Sequence, residues 1–158
     1  MRKHLYIEPE NINEYYFSSL NYYDYNNSEI KLIKDITTEL QKKGIPTWYE
    51  HHNTFADRET FLYRKMLDSL GFFMFVSKTL MRKDESYARY ELSLAKHLNK
   101  EIYVILLDDI RFEKISFSLK GVYLDLMDPK KSVIVPFTRK NYPQKAADFI
   151  ANRMHFFA

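Results

Sequence analysis

The chain has 158 residues, a length typical of one domain with a sizeable hydrophobic core. Its net charge of +3 is too small to indicate a nucleic-acid-binding protein, and without cysteine it can form neither a disulfide framework nor a thiolate site. The longest apolar runs have about seven residues, far fewer than the roughly 20 that span a bilayer, and residues 1–13 lack the apolar core of a signal peptide. These features predict a soluble, cytoplasmic protein that binds neither nucleic acid nor membrane.

Apolar patterns along the chain predict strands and helices in alternation. Residues 1–13 follow no regular pattern and are expected to form an N-terminal arm on a single domain over residues 14–158. Short aromatic or β-branched runs indicate strands, and apolar residues at helical spacing indicate helices. The strands are predicted at 14–18, 45–49, 71–77 and 102–107, with weaker candidates at 121–126 and 132–137. The helices are predicted at 28–43, 58–70, 86–99 and 142–156.

Local signals add detail to this pattern. Ser28 is predicted to cap the first helix and Gly44 to end it, because glycine readily adopts the left-handed backbone found at that position. The helix at 58–70 is expected to turn Leu70 inward with its other apolar residues, and the charged segment 78–85 is expected to be a loop. Strands that alternate with helices predict an α/β fold with a mostly parallel sheet.

Glu91 is the unusual residue of the helix predicted at 86–99. At about 100° per residue it lies near the centre of the apolar stripe, with Tyr87 one turn before it and Leu94 and Ala95 after it. A carboxylate on the inward face of a helix is costly unless it is paired or lines a cavity. Glu91 is therefore a candidate for chemistry, with a buried ion pair or a solvated helix end as the alternatives.

The carboxyl ends of the predicted strands indicate where a ligand would bind, because ligands of parallel sheets bind beyond those ends. This rule collects Ser18, Ser19, Glu50 and the start of the Glu91 helix at one rim. The first strand is followed by no glycine-rich phosphate loop, and the chain has no nucleophile elbow. The histidines at 51–52 lack an evident third ligand, and the aspartates at 108–109 lack a partner carboxylate on the first strand, so no metal site is predicted.

Four segments in this order resemble the sequence boxes of the Toll/interleukin-1 receptor (TIR) domain in its bacterial form. The second box is close to the pattern G-x-x-V/T-W-Y/F-D, and the fourth is close to S-x-W-x-x-x-E-L-x-x-A. The resemblance covers residues 14–153 and implies a flavodoxin-like fold, with a five-stranded, mostly parallel sheet flanked by helices on both faces. The four boxes are Tyr16–Ser19 with Asp24 downstream, Gly44–Glu50, Phe73–Ser77 and Ser86–Ala95.

The resemblance implies an enzyme that cleaves NAD⁺ between nicotinamide and ribose, as many bacterial TIR domains do. Glu91 would occupy the catalytic glutamate position, NAD⁺ would be the substrate, and no cofactor is implied. Because nicotinamide leaves as a neutral molecule, no strong general acid is needed. A carboxylate beside the ribose can stabilise the oxocarbenium-like transition state, much as in glycoside hydrolysis.

Four residues around Glu91 and the rim are predicted to bind the substrate. Tyr87 and Tyr90 would bound the ribose or stack on the nicotinamide ring, with ordinary packing as the alternative. Ser18 and Ser19 would bind ribose or phosphate oxygens near a helix N-terminus, and the alternative is that they turn or cap the backbone.

Two more candidates lie in the segment after the second strand. Trp48 resembles a position that borders the pocket, although a core role is equally open. Arg58 would reach a phosphate, or be an exposed residue at a helix start. The segment 50–58 lacks the glycine that this loop usually carries in the family, where it mediates TIR–TIR packing. A second departure is Tyr87, which stands where the family usually has Trp.

Three functions remain open from the sequence. The first is the NAD⁺-consuming enzyme, releasing nicotinamide and ADP-ribose or a cyclic or conjugated product, in antiphage defence. Such a chain would self-associate through TIR–TIR contacts, and a separate effector protein would bind the product. The second is a non-catalytic TIR interaction and signalling module. The third is an enzyme similar to nucleoside deoxyribosyltransferases, which also place a carboxylate near an anomeric carbon.

Overall fold

A computed structural model describes residues 14–49, 58–83, 86–110 and 132–154. The predicted arm at 1–13, the loop at 50–57 and the weaker strand candidate at 121–126 lie outside these residues. The described strands are β1 (Tyr16–Ser18), β2 (Thr47–Trp48), β3 (Gly71–Val76), β4 (Glu101–Leu106) and β5 (Ser132–Val135). The described helices are α1 (Asn27–Lys42), α2 (Arg58–Asp68), α3 (Lys78–Met81), α4 (Tyr87–His97) and α5 (Tyr142–Met154).

The five strands form one parallel sheet in the order β2-β1-β3-β4-β5. This is the strand order of flavodoxin-like folds, so the predicted α/β architecture is confirmed. The chain steps from β1 to β2 in one direction along the sheet and from β2 onward in the other. Right-handed crossovers therefore put α1 on one face and α2 and α4 on the opposite face. The contacts agree, since α1 packs against α5 and α2 packs against α4.

The core is centred on β3, in which every residue is buried. Aromatic rings fill both sides of the sheet around it. Tyr16 stacks on Phe73 with 4.8 Å between ring centroids, and Phe17 packs against Trp48 at 5.1 Å. Among the described residues, no helix has the length and the apolar character needed to cross a membrane.

Two of the predicted local details are wrong: the N-cap of α1 and the orientation of Leu70. Asn26, not Ser28, is the N-cap of α1, since its side chain accepts the Glu29 amide while the Glu29 carboxylate accepts the Asn26 amide. This reciprocal capping box satisfies two donors at once, whereas the Ser28 hydroxyl only donates to Asn26. Leu70 is 41% exposed and not inward, because α2 ends at Asp68 and the chain leaves the helical path.

The segment predicted as a loop at 78–85 contains the short helix α3. Two side chains supply the hydrogen bonds that its first turn needs. The Ser77 hydroxyl accepts the amide of Leu80 at 3.1 Å, and the Asp108 carboxylate accepts the amide of Lys78 at 2.8 Å. Asp108 is therefore engaged in capping, across a distance along the chain that sequence patterns do not reveal.

Gly71 is predicted to be intolerant of a side chain. A Cβ there would lie 2.7 Å from the Glu101 carbonyl oxygen and 2.9 Å from the Tyr16 ring. Gly71→Ala should lower the free energy of unfolding by about 1–3 kcal/mol, measured by urea denaturation, because the core would be overpacked.

The matched control is Gly44, which has a φ of 79° and is exposed. A substitution at Gly44 is destabilising because of the left-handed backbone conformation, which asparagine tolerates better than alanine. Gly44→Asn should thus be milder than Gly44→Ala, whereas Gly71→Asn should be worse than Gly71→Ala. The same ranking at both sites would contradict the steric explanation.

The buried tyrosines predict a loss of stability at alkaline pH. Burial, together with the carboxylates of Glu101 and Glu14, raises the pKa of Tyr16 to about 12. Burial also raises the pKa of Tyr142. In the unfolded chain a phenol ionises near its ordinary pKa of about 10, so the folded state holds more protons above that pH. The contribution of these buried phenols to the free energy of unfolding should be fully present below about pH 10. It should decrease as the pH rises towards 12.

Urea denaturation from about pH 8 to about pH 11 measures this loss. Tyr16→Phe should make the alkaline fall shallower, because it removes one buried phenol. Tyr63→Phe is the control, since that ring is exposed on α2. An equal effect of the two variants would show that burial is not the cause.

Candidate functional site

A cleft of about 570 Å³ opens at the carboxyl edge of the sheet. Its walls come from the loop between β1 and α1, the first turns of α2, and the chain around the start of α4. This is the rim at which ligands of such sheets bind. The lining residues are Tyr23, Asp24, Glu59, Leu62, Lys83, Ser86, Tyr87 and Tyr90.

The start of α4 is held by two side chains. Ser86 is the N-cap, and its hydroxyl accepts the Arg89 amide at 3.1 Å. The Asp24 carboxylate comes from the loop after β1 and accepts the amides of Tyr87 at 3.3 Å and Ala88 at 2.8 Å. Three amides of the first turn, which have no partner within a helix, are thus satisfied by side chains.

Glu91 is 3% exposed, and the prediction that it lies on the inward face of α4 is confirmed. It shares the buried face with Ala88, Leu92 and Ala95, so the stripe is rotated slightly from the predicted one. Glu91 is one turn beyond Tyr87, but its side chain is not among those that line the cleft. The carboxylate therefore lies in the protein interior close to the cleft along the helix.

Tyr87 and Tyr90 both line the cleft. The ring of Tyr87 lies 6.0 Å from the ring of Tyr23, which projects from the loop after β1. Tyr90 is 38% exposed and is thus accessible to solvent. The structure thus brings together the two predicted tyrosines and adds a third.

Ser19 has a well-defined role inside the fold. The Tyr25 hydroxyl donates to the Phe75 carbonyl oxygen at 2.7 Å, which leaves the Ser19 hydroxyl to donate to Tyr25 at 3.1 Å. Ser19 in turn accepts the Phe75 amide at 3.2 Å, and its own amide donates to Phe73. These bonds correspond to the structural alternative, in which Ser19 organises the backbone.

Ser18 differs from its neighbour. It is 1% exposed, and its hydroxyl has no hydrogen-bond partner among the described residues. Such a group carries a desolvation cost that nothing in the described structure offsets. Neither Ser18 nor Ser19 lines the cleft.

Trp48 is not among the residues that line the cleft. Trp48 is almost fully buried, with its ring 5.8 Å from the ring of Phe61 and the Lys65 ammonium 5.8 Å above it. This is the core alternative for Trp48. Arg58 is the first residue of α2, and its side chain lies outside the described part of the structure.

Four residues that line the cleft were not predicted to have a site role: Tyr23, Glu59, Lys83 and Asp24, which was noted only as following the first of the four boxes. Each belongs to a polar loop or an exposed helix face, where charged and aromatic residues are ordinary. A polar loop directly after the first strand was the available signal, because such loops lie at the ligand-binding edge.

The cleft combines aromatic and charged groups. Three tyrosine rings can hold a planar ring, and the carboxylate of Glu59 favours a cationic one. The Lys83 ammonium can bind a phosphate. In the part of the chain that the structure describes, no three His, Asp or Glu side chains are grouped to hold a metal ion.

No family model matches this sequence, and no curated protein matches it significantly. The chemistry of the cleft and of Glu91 is therefore the basis for inferring function.

The contrast between Ser18 and Ser19 yields a prediction. Ser19→Ala should lower the free energy of unfolding by about 1–3 kcal/mol, because the buried Phe75 amide would lose its acceptor. Ser18→Ala should leave stability unchanged or slightly higher, since it removes a buried hydroxyl without a described partner. Urea denaturation of both variants measures the difference, and equal costs would contradict these assignments.

Proposed function

We propose that this chain is a TIR-like enzyme that cleaves NAD⁺ between nicotinamide and ribose, with Glu91 as its catalytic carboxylate. The observation that carries the proposal is the burial of Glu91 on α4, at 3% exposure, one turn from a tyrosine that lines the cleft. A carboxylate is seldom kept in such a place without a role in structure or chemistry.

The proposed chemistry needs one negative charge near the anomeric carbon. As the bond to nicotinamide breaks, its electron pair leaves with the neutral ring and positive charge develops on the ribose. A carboxylate in a water-poor site stabilises that charge more than one in bulk water would. Water, or a hydroxyl of the same or another molecule, then attacks the ribose, loses its proton to solvent and gives a linear, cyclic or conjugated ADP-ribose.

The groups that line the cleft suit the nicotinamide ring and the diphosphate of this substrate. The pyridinium of NAD⁺ is planar and cationic, so the rings of Tyr23 and Tyr87 and the carboxylate of Glu59 would favour it. The diphosphate is anionic, and Lys83 supplies the positive charge among the lining residues. A volume of about 570 Å³ is within the range of small-molecule sites.

Substrate binding must uncover Glu91, because that side chain does not line the cleft. Tyr87 lies one helical turn before Glu91 and lines the cleft, so a change of its rotamer is the first means. Self-association through TIR–TIR contacts is the second means of completing the site. Tyr22 and Tyr23 are 65% and 67% exposed in the loop after β1, where such a contact would cover them.

The same burial of Glu91 favours a second candidate, a TIR interaction module without catalysis. In that case the carboxylate is a structural group, and the cleft or its rim is where another copy docks. Under the enzymatic proposal, the product is a signal in antiphage defence that a separate effector protein binds, or the loss of NAD⁺ is itself toxic.

Glu91→Gln is predicted to reduce NAD⁺ cleavage roughly a hundredfold or more, since glutamine keeps the shape and removes the charge. Nicotinamide release and product mass are measured over a wide range of protein concentration. The control is Glu39→Gln, the same change in a carboxylate that pairs with Lys42 on α1. Helix α1 lies on the face of the sheet opposite to α4. Circular dichroism and urea denaturation confirm that each variant is folded.

Each outcome separates the candidates. Cleavage by the parent and by Glu39→Gln but not by Glu91→Gln supports the enzyme, and a steep dependence on concentration indicates a site completed by assembly. Equal cleavage by all three proteins would show that Glu91 is not catalytic. An inactive parent that self-associates supports the interaction module, and cleavage of deoxynucleosides supports the deoxyribosyltransferase-like alternative.

A further inference from the structure

We infer that Asp24 is a positioning residue for the proposed reaction: it fastens the loop after β1 to the first turn of α4 and thereby sets the place of Glu91 relative to the cleft. The inference rests on the proposed function for its catalytic part. Its structural part, the fastening of loop to helix, can be measured without any activity.

Asp24 makes unusual contacts for an acidic residue in a loop. It is 1% exposed, and its two carboxylate oxygens accept separate amides of α4, from Tyr87 and from Ala88. The helix dipole adds to these bonds, because negative charge is favoured at a helix N-terminus. The bonds join residues that are 63 and 64 positions apart, so they fix tertiary structure.

The loop side of this connection is itself fixed. The Asp24 amide donates to the carbonyl oxygen of Asn21, and the Tyr23 amide donates to the Asn21 side chain, both at 2.9 Å. The turn that presents Tyr23 to the cleft is therefore closed on itself. Since Ser19 is bonded to β3, the connection runs from the central strand through the loop to α4.

The first turn of α4 connects Asp24 to Glu91. Ala88 lies three residues before Glu91 on the same buried face of α4, and a helical turn behaves as a rigid unit. A displacement of the first turn would thus move the Glu91 carboxylate with it. Misplacing a reacting group by about 1 Å can cost roughly a hundredfold in rate.

The test compares kcat and KM for NAD⁺ cleavage in the parent, Asp24→Asn, Asp24→Ala and Asn26→Ala. Asn26 is a matched control, because it lies in the same loop and caps a helix with the same kind of bond, to the Glu29 amide at 2.9 Å. It caps α1, however, and does not line the cleft.

Asp24→Ala should lower kcat at least about tenfold while KM stays within about twofold. Asp24→Asn keeps one acceptor oxygen and should fall between Asp24→Ala and the parent. Asn26→Ala should keep the parent's kcat, even where its loss of thermal stability is comparable. If Asp24→Ala does not fold, Asp24→Asn decides, with a kcat below that of Asn26→Ala as the expected result.

Amide hydrogen exchange measures the fastening directly. Asp24→Ala should speed exchange in the first turn of α4 and in the loop at 19–25, whereas Asn26→Ala should speed it in the first turn of α1. Unchanged exchange at α4 would overturn the structural part of the inference.

The kinetic outcomes test the catalytic part. A kcat for folded Asp24 variants equal to that of Asn26→Ala would overturn it. A raised KM with an unchanged kcat would also overturn it, since Asp24 would then bind substrate and not position Glu91. An inactive parent contradicts the proposed function together with the catalytic part, while the exchange experiment still decides the fastening.

Discussion

The backbone of β3 sets the constraint on which the rest of the structure depends. Every residue of this strand is buried, so each of its amides and carbonyls needs a partner within the protein. β4 pairs along all of β3, but β1 is short and pairs only with Gly71–Phe73. Beyond that point, Ser19 accepts the Phe75 amide and Tyr25 donates to the Phe75 carbonyl oxygen. The side chains of Ser19 and Tyr25 thus supply the hydrogen bonds to β3 that β1 is too short to make.

This arrangement explains why one short loop has several roles. Ser19 and Tyr25 satisfy β3, Asp24 holds the start of α4, and Tyr23 projects into the cleft. The loop is therefore part of the core on one side and of the candidate site on the other. The hydrogen bonds that shape this side of the candidate site are therefore also bonds that stabilise the sheet.

The sequence predicted what depends on local pattern. Burial of Glu91 followed from helical periodicity, and the fully buried β3 followed from a continuous apolar run. The prediction failed where two nearby residues can cap the same helix, since Asn26 and not Ser28 is the N-cap of α1. It also missed the bonds of Asp24 and of Asp108, since a carboxylate in a loop gives no sign of which distant amides it will meet. The fold was thus more predictable than the cleft, whose walls come from three separate parts of the chain.

The position of β1 inside the sheet has a consequence for the order of assembly during synthesis. β1 is translated before β2 and β3, yet Phe17 pairs with Trp48 on one side and with Phe72 on the other. Its apolar residues therefore have no strand to pair with until β2 and β3 have left the ribosome. Nonlocal pairings of this kind slow folding and leave apolar segments exposed in the meantime. Until β3 has emerged, β1 is accordingly a segment through which the nascent chain can aggregate.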